Sequence, residues 1–136
     1  NEQLLTNVIN IVSTISSTDA KLLGLKPEIL SSRDAIRQKL VGHPLWVIHD
    51  RIDTNIAGIL LLSPMSREGG AAFLSAIYIV PKYRRKGYCQ QLVDFIKPKY
   101  HTILFSCLAE NTIVKHIAAK NGAIEGKSNH FKYTND

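Results

Sequence analysis

Residues 77–89 read IYIVPKYRRKGYC and are the part of the sequence most informative about the fold. Its first part ends an almost wholly apolar run, residues 71–80, which is typical of a central strand covered on both faces. Pro81 ends that strand, four cations and Gly87 follow, and Tyr88 begins a segment with helical apolar spacing. Such a junction directs unpaired backbone N–H groups at one point, which binds phosphate. We expect Gly87 because a side chain would keep a ligand away from the backbone.

The cations of the chain are concentrated around this junction. The 136 residues include 17 Lys+Arg and 11 Asp+Glu, which gives a formal charge of +6. Between Lys82 and Lys99, six cations stand against a single anion, Asp94, so nearly all of the excess lies in one segment. A nucleic-acid binder needs cations spread along a face. A single cluster favours a small, multiply charged ligand.

Composition excludes several classes of protein. The chain is 45% hydrophobic and 21% charged, which is typical of an ordinary globular domain and excludes disorder and collagen-like repeats. We expect one domain, 1–136, with a helical front (1–43) and a core (44–136). No apolar run reaches the ~18–20 residues of a membrane span, and residues 4–15 lack the basic start of a signal peptide. We therefore expect a cytoplasmic protein, and Asn1 in place of Met suggests processing or excision.

Cysteine and histidine spacing gives no sign of a structural metal or a disulfide framework. The two cysteines, Cys89 and Cys107, and the five histidines have no metal-ligand spacing, so no metal site is predicted.

The predicted order of elements is helices followed by β-β-β-α-β-α-β-β, which indicates an α/β fold with a mixed sheet flanked by helices. Apolar spacing predicts a front helix, then a short turn to Gly24, then one helix from Pro27 to about Val41. The first two strands form a hairpin, and a loop over 63–70 leads to the third. Strands are predicted at 45–50, 56–62, 71–80, 101–108, 123–125 and 130–133, and later helices from 88 until Pro98 and over 111–120.

Residues 79–89 resemble the signature of the GNAT superfamily of acyl-CoA-dependent N-acyltransferases. That signature is a strand ending in an apolar-x-Pro step, then [Gln/Arg]-x-x-Gly-x-[Gly/Ala] leading into a helix. Residues 79–81 match the first part, and residues 84–89 match the second with Cys89 as the small last residue. A second family feature, an Asn before a helix that ends in Gly, is matched by Asn111 and Gly122. The resemblance covers roughly 46–133 and is weaker over the helical front.

The resemblance implies a GNAT-like fold and transfer of an acetyl group from acetyl-CoA to a primary amine in a ternary complex. It implies that the backbone near Tyr78 and Ile79 pairs with the pantetheine arm. Loop N–H groups would hold the pyrophosphate, flanking cations would face the adenosine phosphates, and Asn111 would contact the pantetheine or order the site. The implied cofactor-binding residues are Tyr78, Ile79, Arg84, Arg85, Lys86, Gly87, Tyr88, Cys89 and Asn111.

Departures from the family pattern bear on the mechanism. Many members place a Tyr seven residues after the Asn, where it can protonate the departing thiolate, but this chain has Ala118. His116 lies about 140° around the helix from Asn111 and cannot substitute. We expect water, Tyr78 or Cys107 to assist loss of the thiolate. Tyr78 could equally be a core aromatic, and an apolar strand favours Cys107 as a buried small hydrophobe.

The general base is equally open at the level of sequence. The central strand contains no carboxylate, so a water chain is expected to serve as the base. His49 and Asp50 end a strand, where a base or a hairpin-turn role would fit, and the turn role is favoured.

Rival functions remain at the level of sequence. One is a CoA-binding module that has lost its chemistry, and another is a basic adaptor that holds nucleic acid through residues 82–99. A third is an acyltransferase acting on a nucleobase or tRNA. The binding of an adaptor should weaken steeply with salt. The acceptor is expected to be a small-molecule or peptide amine, with nucleic acid less favoured and no membrane partner.

Overall fold

The computed structural model describes residues 2–23, 25–64, 69–107, 111–126 and 130–134. Within these ranges the strands form one mixed sheet in the order β1-β2-β3-β4-β6-β5. Only β3 and β4 run parallel, and the other neighbours are antiparallel. The predicted central strand, β3, does lie between two partners. The strands are β1 (Leu45–His49), β2 (Ile56–Pro64), β3 (Gly69–Ile79), β4 (Tyr100–Ser106), β5 (Ile124–Glu125) and β6 (His130–Thr134).

Helices precede the sheet and flank it, as predicted. Two 3₁₀ turns, Pro81–Tyr83 and Lys97–Lys99, border the fifth helix. None of the described helices is long and apolar enough to cross a membrane. The helices are α1 (Glu2–Ser13), α2 (Ser17–Leu22), α3 (Pro27–Leu30), α4 (Arg33–Leu40), α5 (Tyr88–Ile96) and α6 (Thr112–Lys120).

The helical front differs from the prediction at one break. The single helix predicted from Pro27 to Val41 is wrong, because Ser32 is extended and separates α3 from α4. The Ser32 hydroxyl accepts a hydrogen bond from the Ala35 N–H at 3.3 Å, which starts α4 as an N-cap. The predicted short turn is α2, capped in the same way by Ser16.

Some predicted boundaries fall outside the described residues. Gly24, the expected end of the short turn, and Leu108, the expected end of the fourth strand, are both outside them. The loop predicted over 63–70 is shorter, because β2 continues to Pro64 and β3 begins at Gly69. Residues 65–68 of that loop also lie outside the described part.

The sheet separates two apolar cores because side chains alternate between its faces. Leu60 and Leu62 pack with residues of α5 and α6, whereas Ile59 and Leu61 pack with α1 and α4. Gly58 allows α5 to approach the sheet closely. A Cβ there would lie 2.6 Å from Ile79 Cδ1 and 3.2 Å from Leu92 Cδ1. This close packing fixes α5, and so its N-terminus, against β2 and β3.

Candidate active site

A cavity of about 790 Å³ opens where the two parallel strands stop pairing. The ladder between β3 and β4 ends at Phe73 and Leu104, although β3 continues to Ile79. The space is lined by side chains of β3, β4, α5 and α6, together with Asp19 of α2. The parting of the strands therefore creates a cleft beside the loop that the sequence singled out.

The start of α5 offers unpaired donors to this cleft. Gly87 is the N-cap in a left-handed conformation, with φ 82°, and no side chain caps the helix. The first helical bond runs from the Gln91 N–H to the Gly87 carbonyl at 3.1 Å. The N–H groups of residues 88–90 thus have no acceptor within the helix, and such a helix end attracts anions.

Backbone direction along β3 also favours an extended ligand. The Val80 N–H donates to the Ala57 carbonyl of β2 at 2.8 Å. Because backbone groups alternate along a strand, those of Tyr78 also face β2, and those of Ile77 and Ile79 face the cleft. The Ile79 carbonyl accepts a hydrogen bond from Arg84 Nε at 2.9 Å.

Arg84 ties the loop to the helical front. Its Nη2 lies 3.0 Å from Asp19 Oδ2 of α2, and its guanidinium lies 5.5 Å from the centre of the Tyr78 ring. The side chains of Arg84 and Asp19 are 35% and 19% exposed, so this ion pair is partly shielded from solvent. Arg84 is therefore a bridge between α2, β3 and the loop rather than a freely solvated cation.

Tyr78 lines the cavity and Cys107 does not. Burial raises the pKa of Tyr78 above 10.0, and the nearby charge of Asp19 adds to this, so the phenol keeps its proton at neutral pH. Within the described part of the chain, Cys107 lies just past β4, packs against the core and is outside the cavity lining. Burial raises the pKa of the Cys107 thiol too. Of the two candidate acids, only Tyr78 lines this cavity, and it also lines a smaller one against the helical front.

Lys86 and Tyr88 both contact the buried carboxylate of Asp50. The Tyr88 hydroxyl donates to Asp50 Oδ1 at 2.7 Å, and Lys86 Nζ lies 3.5 Å from the same oxygen. The hydroxyl of Tyr88 chiefly, together with backbone N–H groups of the turn, holds the pKa of Asp50 far below its ordinary value. Asp50 is thus an ionised turn residue, which agrees with the favoured hairpin role and makes it a poor base at neutral pH.

Carboxylates that are distant in sequence neutralise part of the positive charge of the basic loop. Asp53 accepts a hydrogen bond from the Tyr83 hydroxyl and lies 3.7 Å from Lys82 Nζ. Arg85 is exposed, lines the cavity, and has no carboxylate partner among the described residues. Its φ of 66° is left-handed. Sequence reasoning missed these pairs, although the Asp-rich turn 50–55 was a visible signal for local capping.

The remaining candidates lie around the same cleft. Burial raises the pKa of the Cys89 thiol, at the start of α5, to about 11. Asn111 is 7% exposed and caps α6 by accepting from the Val114 N–H at 3.2 Å. Its Nδ2 lies 3.5 Å from the Leu22 carbonyl of α2. Asn111 therefore joins the start of α6 to the end of α2, and both of its expected roles stay predictions.

The position of the missing tyrosine also lies in this cleft. Ala118 is 1% exposed and lines the cavity. Among the described residues, no cluster of three or more His, Cys, Asp or Glu could hold a metal ion.

Solved structures share this architecture. The spermidine N-acetyltransferase of Vibrio cholerae, solved with CoA and spermine, superposes with a TM-score of 0.73 at 16% identity over 98% of this chain and 91% of that one. The smu.2055 protein of Streptococcus mutans UA159 gives 0.69 at 19% identity, over 96% and 92%. A putative acetyltransferase of Salmonella typhimurium, solved with acetyl-CoA, gives 0.59 at 13% identity, over 99% and 88%. At these identities the likeness shows the fold.

Sequence comparison identifies the family. No curated protein matches this chain. The profile described as the acetyltransferase (GNAT) family matches residues 19–121, which include Asp19, the basic loop and Asn111. Because the match extends over most of the 136 residues, the chain belongs to the GNAT family of acetyltransferases.

Proposed function

We propose that this chain transfers the acetyl group of acetyl-CoA to a primary amine by direct attack in a ternary complex. The observation that carries the proposal is the uncapped start of α5, which faces a cavity of about 790 Å³ beside the parted strands. A phosphate-bearing ligand with a long arm matches this combination of anion site and cleft. Family membership and neighbours solved with CoA or acetyl-CoA support the same ligand.

The residues of the loop have separate tasks in this proposal. The N–H groups of residues 88–90 would hold the pyrophosphate. Arg85 would add a charge-assisted contact, because it is exposed and has no carboxylate partner among the described residues. Backbone groups of Ile77 and Ile79 would pair with the pantetheine arm. Lys86, Tyr88 and Arg84 would act mainly by shaping the loop, because each already has a partner within the protein.

The chemistry follows from positioning. Bound acetyl-CoA supplies an activated acetyl thioester, and the chain must hold a neutral amine against it. The amine nitrogen forms the new C–N bond while the C–S bond breaks, and a water chain removes the ammonium proton. Tyr78 would donate a proton to the leaving thiolate, since its phenol is protonated and the residue lines the cleft. Cys107 stays a second prediction for that role.

The acceptor is proposed only as a class. The neighbour from Vibrio cholerae is named for spermidine, so polyamines belong in a first panel, together with a peptide that has a free N-terminus. Release of free CoA thiol that depends on an added amine would support transfer. Tight acetyl-CoA binding without amine-dependent release from any acceptor would favour a CoA-binding module without chemistry.

Calorimetric titration with acetyl-CoA tests the cofactor part of the proposal. We expect binding by the full chain, and about tenfold weaker binding by Arg85→Ala, because a charge-assisted contact to phosphate is lost. Lys99→Ala is the matched control, since Lys99 is exposed but lies outside the cavity lining. Absence of wild-type binding at millimolar acetyl-CoA would refute the proposed function.

A further inference from the structure

One buried carboxylate holds both residues that flank Gly87. The Asp50 side chain is 3% exposed, and its two oxygens have different partners. Oδ1 accepts from the Tyr88 hydroxyl at 2.7 Å and lies 3.5 Å from Lys86 Nζ. Oδ2 accepts from the N–H groups of Ile52 and Asp53 at 3.0 and 3.1 Å. One oxygen therefore fixes the β1–β2 turn and the other fixes the loop before α5.

The same turn also holds the beginning of the loop. The Tyr83 hydroxyl donates to Asp53, and the Arg51 N–H donates to the Tyr88 hydroxyl at 3.1 Å. The two tyrosines are 4% and 3% exposed and pack together with Ala57. The loop over 84–87 thus lies between Tyr83 and Tyr88, which are both hydrogen-bonded to the β1–β2 turn. Its two left-handed residues, Arg85 and Gly87, lie between these tyrosines.

We propose that Asp50 is a positioning residue for the cofactor loop. Through Tyr88 and Lys86 it holds the three free N–H groups of α5 in the orientation that binds the pyrophosphate of CoA. It touches no reacting atom, so it acts on cofactor affinity and not on the chemical step. This inference rests on the proposed function, because it assumes that the loop binds CoA.

Charge and positioning predict opposite effects of removing this carboxylate. Asp50→Asn deletes a negative charge and releases Lys86, so electrostatics alone would strengthen the binding of a polyanion. An asparagine side chain has one acceptor oxygen and one donor NH₂, so it cannot accept hydrogen bonds on both sides. Either the Tyr88 hydroxyl or the turn N–H groups then lose their acceptor, and the loop is released. Weaker CoA binding would therefore come from lost positioning.

The experiment compares CoA with pantetheine, which lacks the phosphates. Affinities are measured by calorimetry for CoA and by NMR titration for pantetheine, on the wild type, Asp50→Asn and Tyr88→Phe. We expect Asp50→Asn to weaken CoA binding about tenfold and Tyr88→Phe to weaken it in the same direction, with pantetheine affinity held within about twofold. The KM for acetyl-CoA should rise while kcat at saturation stays unchanged. Ile52→Thr is the matched control in the same turn, because Ile52 is 87% exposed.

The outcomes distinguish failure of the positioning role from failure of the proposed function. If the wild type binds CoA and Asp50→Asn and Tyr88→Phe bind it equally well or more tightly, the positioning role is refuted and the proposed function stands. If both ligands weaken together in folded Tyr88→Phe, the tyrosine supports the whole core and the inference is also refuted. Tyr88→Phe keeps the ring, so it remains informative if Asp50→Asn does not fold. A wild type that does not bind CoA removes the proposed function itself.

Discussion

At Gly87, the backbone requires glycine and the surrounding space does not. Its φ is +82°, and a Cβ built there would meet nothing within 4 Å. Within the protein, the reason for glycine is therefore conformational, and the close approach of a ligand to this backbone stays a prediction. We expect Gly87→Ala to lower the free energy of unfolding by about 1–2 kcal/mol, measured by urea denaturation. Gly126→Ala is the control, because Gly126 has no left-handed φ and its Cβ would lie 3.8 Å from the His130 carbonyl. Equal losses in both variants would contradict the assignment.

Tyr78 and Cys107 can be separated by removing one polar atom from each. We expect Tyr78→Phe to lower kcat about tenfold or more and leave the KM for acetyl-CoA unchanged, because it removes the proposed acid. Cys107→Ala should keep its turnover, since Cys107 lies outside the cavity lining. The measurement is steady-state release of CoA thiol with the best acceptor. Full turnover in both variants would mean that neither residue protonates the thiolate.

At the scale of elements, α2 is hydrogen-bonded to two residues that line the cleft, Arg84 and Asn111. Asp19 joins it to Arg84 of the loop at 3.0 Å, and the Leu22 carbonyl lies 3.5 Å from Asn111 of α6. This six-residue helix is too short to be stable by itself, so these contacts supply much of its order. Local propensity explains where α2 begins, at Ser16, but its docking depends on residues 65 and 89 positions away.

Hydrogen exchange tests the role of this ion pair. Asp19→Asn should accelerate amide exchange within α2, because Arg84 loses its carboxylate and the helix loses one of its two fastenings. The control is Asp34→Asn, which changes an exposed aspartate that is also in the first turn of a helix, α4. Both substitutions remove a favourable charge at a helix start, so this contribution cancels in the comparison. Similar acceleration in both helices would show that the Arg84 contact adds nothing.

At the scale of the molecule, the net positive charge around residues 82–99 is smaller in the folded protein than the sequence of that segment suggests. Lys82, Arg84 and Lys86 lie against Asp53, Asp19 and Asp50, which come from the front of the sequence. Summing charges over a segment cannot detect these partners, because they approach only when the turn and α2 pack onto the loop. The cluster that remains is small, which suits a single polyphosphate ligand better than a long nucleic acid.

Acid should lower the stability of the folded protein through two carboxylates of the β1–β2 turn, Asp50 and Asp53. Donation by the Tyr88 and Tyr83 hydroxyls lowers the pKa of Asp50 and Asp53 below the ordinary 3.8. Because the folded pKa values are depressed, their contribution to stability is complete above that value and is lost as the pH falls below it. We expect the free energy of unfolding to drop as the pH falls from about 4 to about 2, and to drop less in the Asp50→Asn/Asp53→Asn double variant. Parallel pH profiles, from urea denaturation, would contradict this role.

Sequence reasoning predicts the family, the order of strands and helices along the core, and the loop at the start of α5. These follow from local signals: an apolar run, a proline stop, a cation run, a glycine and a helical period. The helix predicted over 111–120, with its end at Gly122, is confirmed as α6 for the same reason. It missed the break at Ser32, where a local cap outweighs continuous helical propensity.

The contacts of the loop residues, in contrast, depend on tertiary packing. Asp50 lies 36 and 38 positions before Lys86 and Tyr88, so no local pattern pairs them. The parting of β3 from β4 likewise depends on strand pairing across the sheet, and Tyr78 lines the resulting cavity whereas Cys107 does not. Residue spacing encodes hydrogen bonds within a turn or a helix. Contacts that form when distant elements pack together depend on the folded arrangement of the whole chain.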